Sequence, residues 1–426
     1  MRWLTTTVLA VLLAGLATFY YVYEIRQGPA REQAVAKKDR VWPEVEAKDV
    51  DDVVITRGAE TIHLQKSGDA WSLVAPRAAK ADTRAVDDLV NALAIARVER
   101  ELEASPTKVD DFGLAPPAVE VTFKAKGEAR GIRLGGKSPT GIWVYAQRTD
   151  KPAVFLAPDS LLREAQKGAN DFRDRTVLAF ERKDVTGLEV KPAAGAPVAA
   201  RKQGDDDWQV TAPLTARADR EQVSGLLEKL RGARIKEFVA DVAPEAQVAA
   251  SYGLDRPLSL TLWLGEEKAR SAKTLRLGKA VPDKKGVYAQ REGEPGVFLV
   301  EEDLLKAIPA SGTALRDKTV FVYDRAKLER VEVESPKGKV ALALADGAWR
   351  ITAPAELRAD ESATNVLLGR ARDLKALEFV AEAADRLAAY GLDRPQVRLT
   401  VWEKESKEPK VLLLAPVPRK DTAYAT

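Results

Sequence analysis

One block recurs three times along this chain, and that repetition limits the possible folds more than any other feature. Trp71-Ser-Leu-Val-Ala-Pro76 returns as Trp208-Gln-Val-Thr-Ala-Pro213 and as Trp349-Arg-Ile-Thr-Ala-Pro354, with the tryptophans 137 and 141 residues apart. A polar turn precedes each one: Ser67-Gly68-Asp69, Gly204 to Asp207, and Asp346-Gly347. An Ala-Asp pair follows each one, at Ala81-Asp82, Ala218-Asp219 and Ala359-Asp360. Further on, Phe112-Gly-Leu-Ala-Pro116 matches Tyr252-Gly-Leu-Asp-Arg-Pro257 and Tyr390-Gly-Leu-Asp-Arg-Pro395. Tyr145-Ala-Gln-Arg148 then matches Tyr288-Ala-Gln-Arg291, with Tyr424-Ala425 in third place, and Arg173-Asp-Arg-Thr-Val177 matches Arg316-Asp-Lys-Thr-Val320. Ordered anchors at nearly constant spacing are the mark of tandem copies of one unit.

The unit has a legible local structure. In the second copy, Leu188–Val190, Pro197–Ala200 and Trp208–Val210 read as strands joined by polar turns. Asp219 is placed to cap a helix by accepting from the free amides of its first turn. Val223, Leu226, Leu227 and Leu230 give that helix an apolar stripe. The same register holds Val86, Leu89, Val90 and Leu93, and more weakly Thr364, Leu367, Leu368 and Ala371. After the Gly-Leu turn, Leu258, Leu260, Leu262 and Leu264 alternate with polar or aromatic residues, and strands follow at Leu275/Leu277, Val287-Tyr288 and Val297–Leu299. A short helix near Glu302–Ala307 closes the unit. The expected fold class is α+β: tandem repeats of a small, mostly antiparallel-sheet domain of about seven short strands, with one main helix each.

Arg40–Val50 aligns without a gap to Arg175–Val185 and to Lys318–Leu328, so the stretch from residue 40 belongs to the first copy. The expected division is 1–23 membrane anchor, 24–39 tether, 40–174, 175–317 and 318–426. The third copy stops short: Tyr145 to Thr176 and Tyr288 to Thr319 both span 31 residues, but only two residues follow Tyr424. That leaves open a longer chain or a sheet edge available to a partner strand.

The anchor is Trp3 to Tyr23, which contains no charged residue. As a helix it would rise about 30 Å, enough to cross a bilayer core. Trp3 at one end and Tyr20, Tyr21 and Tyr23 at the other suit the two interfaces. A cleaved signal peptide cutting near Gly15 and Ala17 is the rival, but the apolar run continues past that site. Arg26, Arg31, Lys37, Lys38 and Arg40 follow the span, which counts against an outward C-terminal bulk under the positive-inside rule. The very short N-terminal tail favours it, and an inner-membrane, single-pass protein with its bulk in the periplasm is expected.

Composition removes much chemistry. With 67 Lys+Arg against 64 Asp+Glu, the formal charge of +3 gives no concentrated basic surface for nucleic acid. Cys is 0, so disulfides, thiolate metal sites and Cys nucleophiles are excluded. The single histidine, His63, lies in a strand between Ile62 and Leu64 and is expected to face away from them, toward solvent. Gly131 to Ser138 satisfies G-x-x-x-x-G-K-S, but a nucleotide loop needs a helix after it. Here Ile142-Trp-Val-Tyr145 follows and reads as a strand, and the second copy loses the pattern, so a hairpin is expected and no nucleotide. Asp205-Asp206-Asp207 lacks the spaced ligands of a Ca²⁺ loop. Trp71, Trp208 and Trp349 are read as core residues rather than sugar platforms. The Gly-Leu-Asp-Arg-Pro signature is read as a turn with a left-handed Gly, rather than as an anion site. No catalytic, cofactor-binding or metal residue is assigned.

Together, the Trp block, the Ala-Asp helix cap and Tyr-Gly-Leu-Asp-Arg-Pro resemble a bacterial family classed as domain of unknown function number 4340. Copy one departs from it with Phe112 and Ala115. The resemblance implies a single-span membrane protein acting as an accessory to ABC transporters of the gliding-motility type, and it implies no catalytic residues. The expected function is therefore a non-enzymatic, membrane-anchored extracytoplasmic scaffold with an ABC-transporter permease or related envelope component as partner. The alternatives are a glycan- or peptide-binding repeat protein of the envelope and a carboxylate-dependent hydrolase.

Overall fold

The computed structural model describes residues 12, 13, 15–18, 20, 21, 37–104, 106, 108–204, 207–383, 385–418 and 420–426. Most of the expected anchor at 3–23 and of the tether at 24–39 lies outside the described residues. Among the described residues no helix is long and apolar enough to cross a membrane. The chain divides into two compact units, residues 1–175 and 176–426.

The first unit is built on a nine-stranded sheet. Its strands are β1 (Val50–Arg57), β2 (Glu60–Ser67), β3 (Ala70–Ala75), β4 (Ala79–Lys80), β5 (Arg100–Glu103), β6 (Val119–Ala125), β7 (Glu128–Lys137), β8 (Trp143–Arg148) and β9 (Val154–Pro158). The order β4-β3-β2-β1-β6-β7-β8-β9-β5 shows how the chain travels. Hairpins step outward from β1 to β4, and helix α1 (Thr83–Ile95) then leads to the far edge at β5. The chain returns to the centre at β6 and steps outward again to β9.

Helix α1 begins where Asp82 accepts from the amides of Arg84 and Ala85, at 3.0 and 3.2 Å. Its stripe of Val86, Leu89, Val90 and Leu93 is buried against inward-facing sheet residues such as Ile55, Leu64, Phe123 and Ile132. Each such side chain contributes about 1.5–3 kcal/mol on burial. Helix α2 (Asp159–Ala165) adds Leu161 and Leu162 to the same core. The helices occupy one face, so alternate residues of the strands look out from the other.

The second unit holds two further sheets. One comprises β10 (Val185–Lys191), β11 (Val198–Gln203), β12 (Asp207–Ala212), β13 (Ala216–Arg217), β14 (Glu237–Ala240), β15 (Leu258–Leu264), β16 (Ser271–Val281), β17 (Gly286–Arg291) and β18 (Val297–Glu301). Its order, β13-β12-β11-β10-β15-β16-β17-β18-β14, repeats that of the first sheet. Helix α3 (Arg220–Gly232) is capped by Asp219 and buries Val223, Leu226, Leu227 and Leu230. Three short helices follow: α4 (Glu245–Ala250), α5 (Glu302–Ala307) and α6 (Gly312–Leu315).

The last sheet has β19 (Leu328–Ser335), β20 (Gly338–Ala345), β21 (Ala348–Ala353), β22 (Leu357–Arg358), β23 (Val397–Glu403), β24 (Lys410–Pro416) and β25 (Ala423–Ala425), with helix α7 (Glu361–Arg372) capped by Asp360. Its seven strands run in the order β22-β21-β20-β19-β23-β24-β25. Among the described residues it has no counterpart of β18 or β14. Every described strand pairing in the three sheets is antiparallel, as the alternating patterns imply.

Two expectations need correction. The complete sheets have nine strands rather than seven, because two-residue strands such as β4 and polar edge strands such as β5 leave no alternating apolar pattern. The gapless match of Arg40–Val50 to the later copies holds only at its end. The strands do start at Val50, Val185 and Leu328. The bridges that tie the incoming chain to the residues after the main helix, however, fall at Arg40, Thr176 and Thr319. The first copy therefore carries one extra residue between bridge and strand.

Candidate functional site

The signatures shared between copies converge at one place in each sheet. Gly113, Gly253 and Gly391 have φ of 68°, 65° and 68°, the left-handed region that glycine adopts without a Cβ penalty. Leu114, Leu254 and Leu392 turn inward and are buried. The preceding ring rests edge-on against the first ring of the Tyr-Ala-Gln-Arg strand. Phe112–Tyr145, Tyr252–Tyr288 and Tyr390–Tyr424 have centroids 5.2, 4.9 and 5.0 Å apart. A strand glycine lies directly beneath the turn: a Cβ on Gly135 would stand 2.2 Å from the Phe112 carbonyl oxygen, and one on Gly278 would stand 2.1 Å from that of Tyr252. The Asp and Arg of the signature, at 255–256 and 393–394, are exposed.

The remaining residues of Tyr-Ala-Gln-Arg are equally occupied. Ala146 and Ala289 are fully buried. Gln147 Nε2 donates to the Pro152 carbonyl at 2.7 Å, and Gln290 Nε2 donates to that of Glu294 at 3.1 Å, closing the next hairpin in each case. Arg148 Nη1 donates to the Val41 carbonyl at 3.0 Å and Arg291 Nε donates to that of Val177 at 2.8 Å, fastening the incoming segment of each copy. Of the acids that recur, Asp82, Asp219 and Asp360 cap helices, while Asp174 and Asp317 pair with Lys80 and Arg217 at 3.1 and 2.7 Å.

The individual candidates also find structural places. Trp71 and Trp208 are 2% and 7% exposed, which leaves no stacking face, and Trp349 is half-buried against the third core. The Ala-Pro bonds that end these blocks, at Pro76, Pro213 and Pro354, are all cis. His63 does face away from Ile62 and Leu64, and its Nε2 lies 3.1 Å from Asp52 Oδ2, with Lys124 Nζ 3.8 Å from the same oxygen. Gly131–Lys137 is part of β7 with no helix after it, so the G-x-x-x-x-G-K-S match has no phosphate-binding geometry. Asp205 and Asp206 lie outside the described residues, and Asp207 opens β12. Among the described residues no group of three or more His, Asp and Glu is placed to hold a metal ion.

The first unit does contain a cleft that the repeats did not announce. It has a volume of about 540 Å³ and lies on the face of the sheet opposite the helices. Trp143 and Tyr145, two apart on β8, share that face, and Leu156 pairs across from Tyr145 on β9. Phe112 comes in from the Gly-Leu turn, while Glu103 at the end of β5 and Thr140 in the β7–β8 connection complete the rim. That connection is pinned: Ser138 N donates to the Trp143 carbonyl at 2.8 Å, Trp143 N donates to Ser138 Oγ at 3.3 Å, and Ser138 Oγ lies 3.0 Å from Thr140 Oγ1.

The second copy lacks this arrangement. Gly286 stands where Trp143 does, and a Cβ there would be 2.7 Å from the Leu299 side chain. Leu299, the counterpart of Leu156, is 1% exposed. In the third copy the position is Thr422. The signal that could have revealed the cleft was therefore Trp143, a large aromatic residue at a position where the copies disagree.

A family model described as Domain of unknown function (DUF4340) matches the chain three times, over residues 71–208, 208–348 and 349–426. Each match starts at one of the repeated tryptophans. No curated protein matches the chain.

Proposed function

The chain belongs to the family described as Domain of unknown function (DUF4340), and for this member we propose a non-enzymatic role as a membrane-anchored extracytoplasmic scaffold. The observation that carries the reading is the fate of the shared residues. Tyr252, Gly253, Tyr288, Gln290, Arg291 and Asp219, with their counterparts, hold a turn, a hairpin, an incoming segment or a helix end. A repeated catalytic unit would instead repeat reactive groups in a common cleft. Residues 3–23 serve as the anchor in an inner membrane, with the sheets on the periplasmic side. The partner is a membrane protein such as an ABC-transporter permease of the gliding-motility type, the class that the family resemblance suggests.

Two measurements test this. Mild cross-linking in the membrane followed by purification should recover the protein with a transporter subunit, and recovery of the protein alone would count against the scaffold role. Protease added to spheroplasts should digest the sheets. If the sheets are protected until the membrane is opened, the orientation is reversed.

A further inference from the structure

We propose that the cleft on the outer face of the first sheet binds a small organic cation of the quaternary or methylated ammonium type. The proposal goes beyond the scaffold reading and does not depend on it. Phe112 packs edge-on against Tyr145, at 63° with centroids 5.2 Å apart, and Trp143 stands on the same face of β8 as Tyr145, so three aromatic rings line the cleft. Aromatic faces carry negative quadrupole density, and an alkylated ammonium group is held by such faces with its methyl groups in apolar contact. Leu156 supplies an apolar floor for the methyl groups. Glu103 places a carboxylate at the rim, and among the described residues none of those lining the cleft is basic.

The same lining disfavours other ligands. A phosphate or carboxylate would meet Glu103 and, among the described lining residues, no countercharge. A sugar would need many hydroxyl partners, but Ser138 Oγ already accepts from the Trp143 amide and is bonded to Thr140. The volume of about 540 Å³ lies within the range of small-molecule sites. The repeat supplies an internal control: the second copy keeps the ring pair Tyr252–Tyr288 but replaces the Trp with Gly286 and buries Leu299 in the corresponding region. The ring pair thus belongs to the fold, and the Trp143 wall is what the first copy adds to it.

Titration calorimetry on the full chain tests the proposal with choline as the probe. Choline should bind saturably. The neutral alcohol in which a tert-butyl group replaces trimethylammonium should bind roughly tenfold more weakly, because it fills the same space without the charge. Trp143→Ala should weaken choline roughly tenfold, Trp143→Phe should retain most of the affinity, and Glu103→Gln should weaken choline severalfold. Should Trp143→Ala unfold the domain by circular dichroism, Glu103→Gln and the neutral isostere carry the test. The proposal is overturned if choline does not saturate, if the neutral isostere binds equally well, if Glu103→Gln or a folded Trp143→Ala leaves binding unchanged, or if N-acetylglucosamine or inorganic phosphate binds where choline does not.

Discussion

Gly135 and Gly136 are neighbours on β7, and a methyl group should be rejected at one and accepted at the other. At Gly135 the added carbon would meet the Phe112 carbonyl oxygen at 2.2 Å, a backbone atom that cannot swing aside. At Gly136 the nearest atom would be 3.7 Å away, ordinary van der Waals contact. Gly135→Ala should therefore cost about 1–3 kcal/mol, the range of overpacked cores. Gly136→Ala should stay within about 0.5 kcal/mol. Hydrogen exchange of the β7 amides would read the difference, and equal protection in both variants would refute the close approach. Gly278→Ala should behave like Gly135→Ala, since its clash with Tyr252 is the same. At the helix caps, Asp219→Ala should lower stability by about 1 kcal/mol through loss of the bonds to the amides of Glu221 and Gln222. Thermal unfolding should register that loss and recover much of it with Asp219→Asn. The caps were legible in the sequence because a cap is a local event of a few residues. The need for Gly135 was not, because the carbonyl that excludes a side chain comes from a turn more than twenty residues earlier.

Within the second unit, the segment from Arg316 to Val320 is paired on both sides. Arg316 bridges Ala218, and the Asp317 amide donates to the Arg217 carbonyl at 2.9 Å. On the other side, the amides of Ala376 and Val320 donate to the Lys318 and Leu374 carbonyls respectively, at 2.7 and 3.0 Å. Asp317 is the charged centre of this clasp. Burial pushes its carboxyl up, but hydrogen bonding from Thr319 and the positive charges of Arg217 and Lys375 hold it below the usual carboxylate range. A carboxyl whose folded value is depressed contributes stability above its unfolded value, and that contribution is lost as pH falls through the folded one. Below about pH 4, the ordinary aspartate value, the clasp should weaken progressively as the Asp317 carboxylate protonates. Asp317→Asn should flatten that part of the acid response in scanning calorimetry, and an unchanged acid profile would remove Asp317 from the clasp. At this scale the sequence revealed the repeated Arg-Asp-x-Thr-Val but not its purpose. A short polar stretch looks like a linker until its backbone bonds are counted. The edge strands β5 and β14 escaped for a related reason: Arg-Glu-Leu-Glu at β5 has no apolar alternation to mark it.

For the whole molecule, the property to test is the proposed attachment to a membrane through the leading segment. Among the described residues of the leading segment, Leu12, Leu13, Leu16, Tyr20 and Tyr21 are 59–67% exposed, so their apolar surface is not covered by the sheets. Removing residues 1–36 should move the protein from the membrane pellet to the soluble fraction while the three sheets keep their thermal transitions. Continued sedimentation with the membrane would show that the sheets themselves carry the attachment.

The sequence by itself determined the unit and its count, the antiparallel class, the main helices with their caps and buried stripes, and the left-handed glycine turns. All of these are written in local periodicity or in repetition, which survive in one dimension. Only the tertiary structure decided the strand order, with β5 and β14 carried to the far edge, and the seating of each turn ring on a strand ring. It also decided the opening of a cleft beside Trp143 in the first copy. Those depend on residues far apart in the chain meeting on one face of a sheet. Trp143 acquires meaning only when Phe112, Glu103 and Leu156 are brought beside it, and Gly286 shows the same fold with that meeting removed.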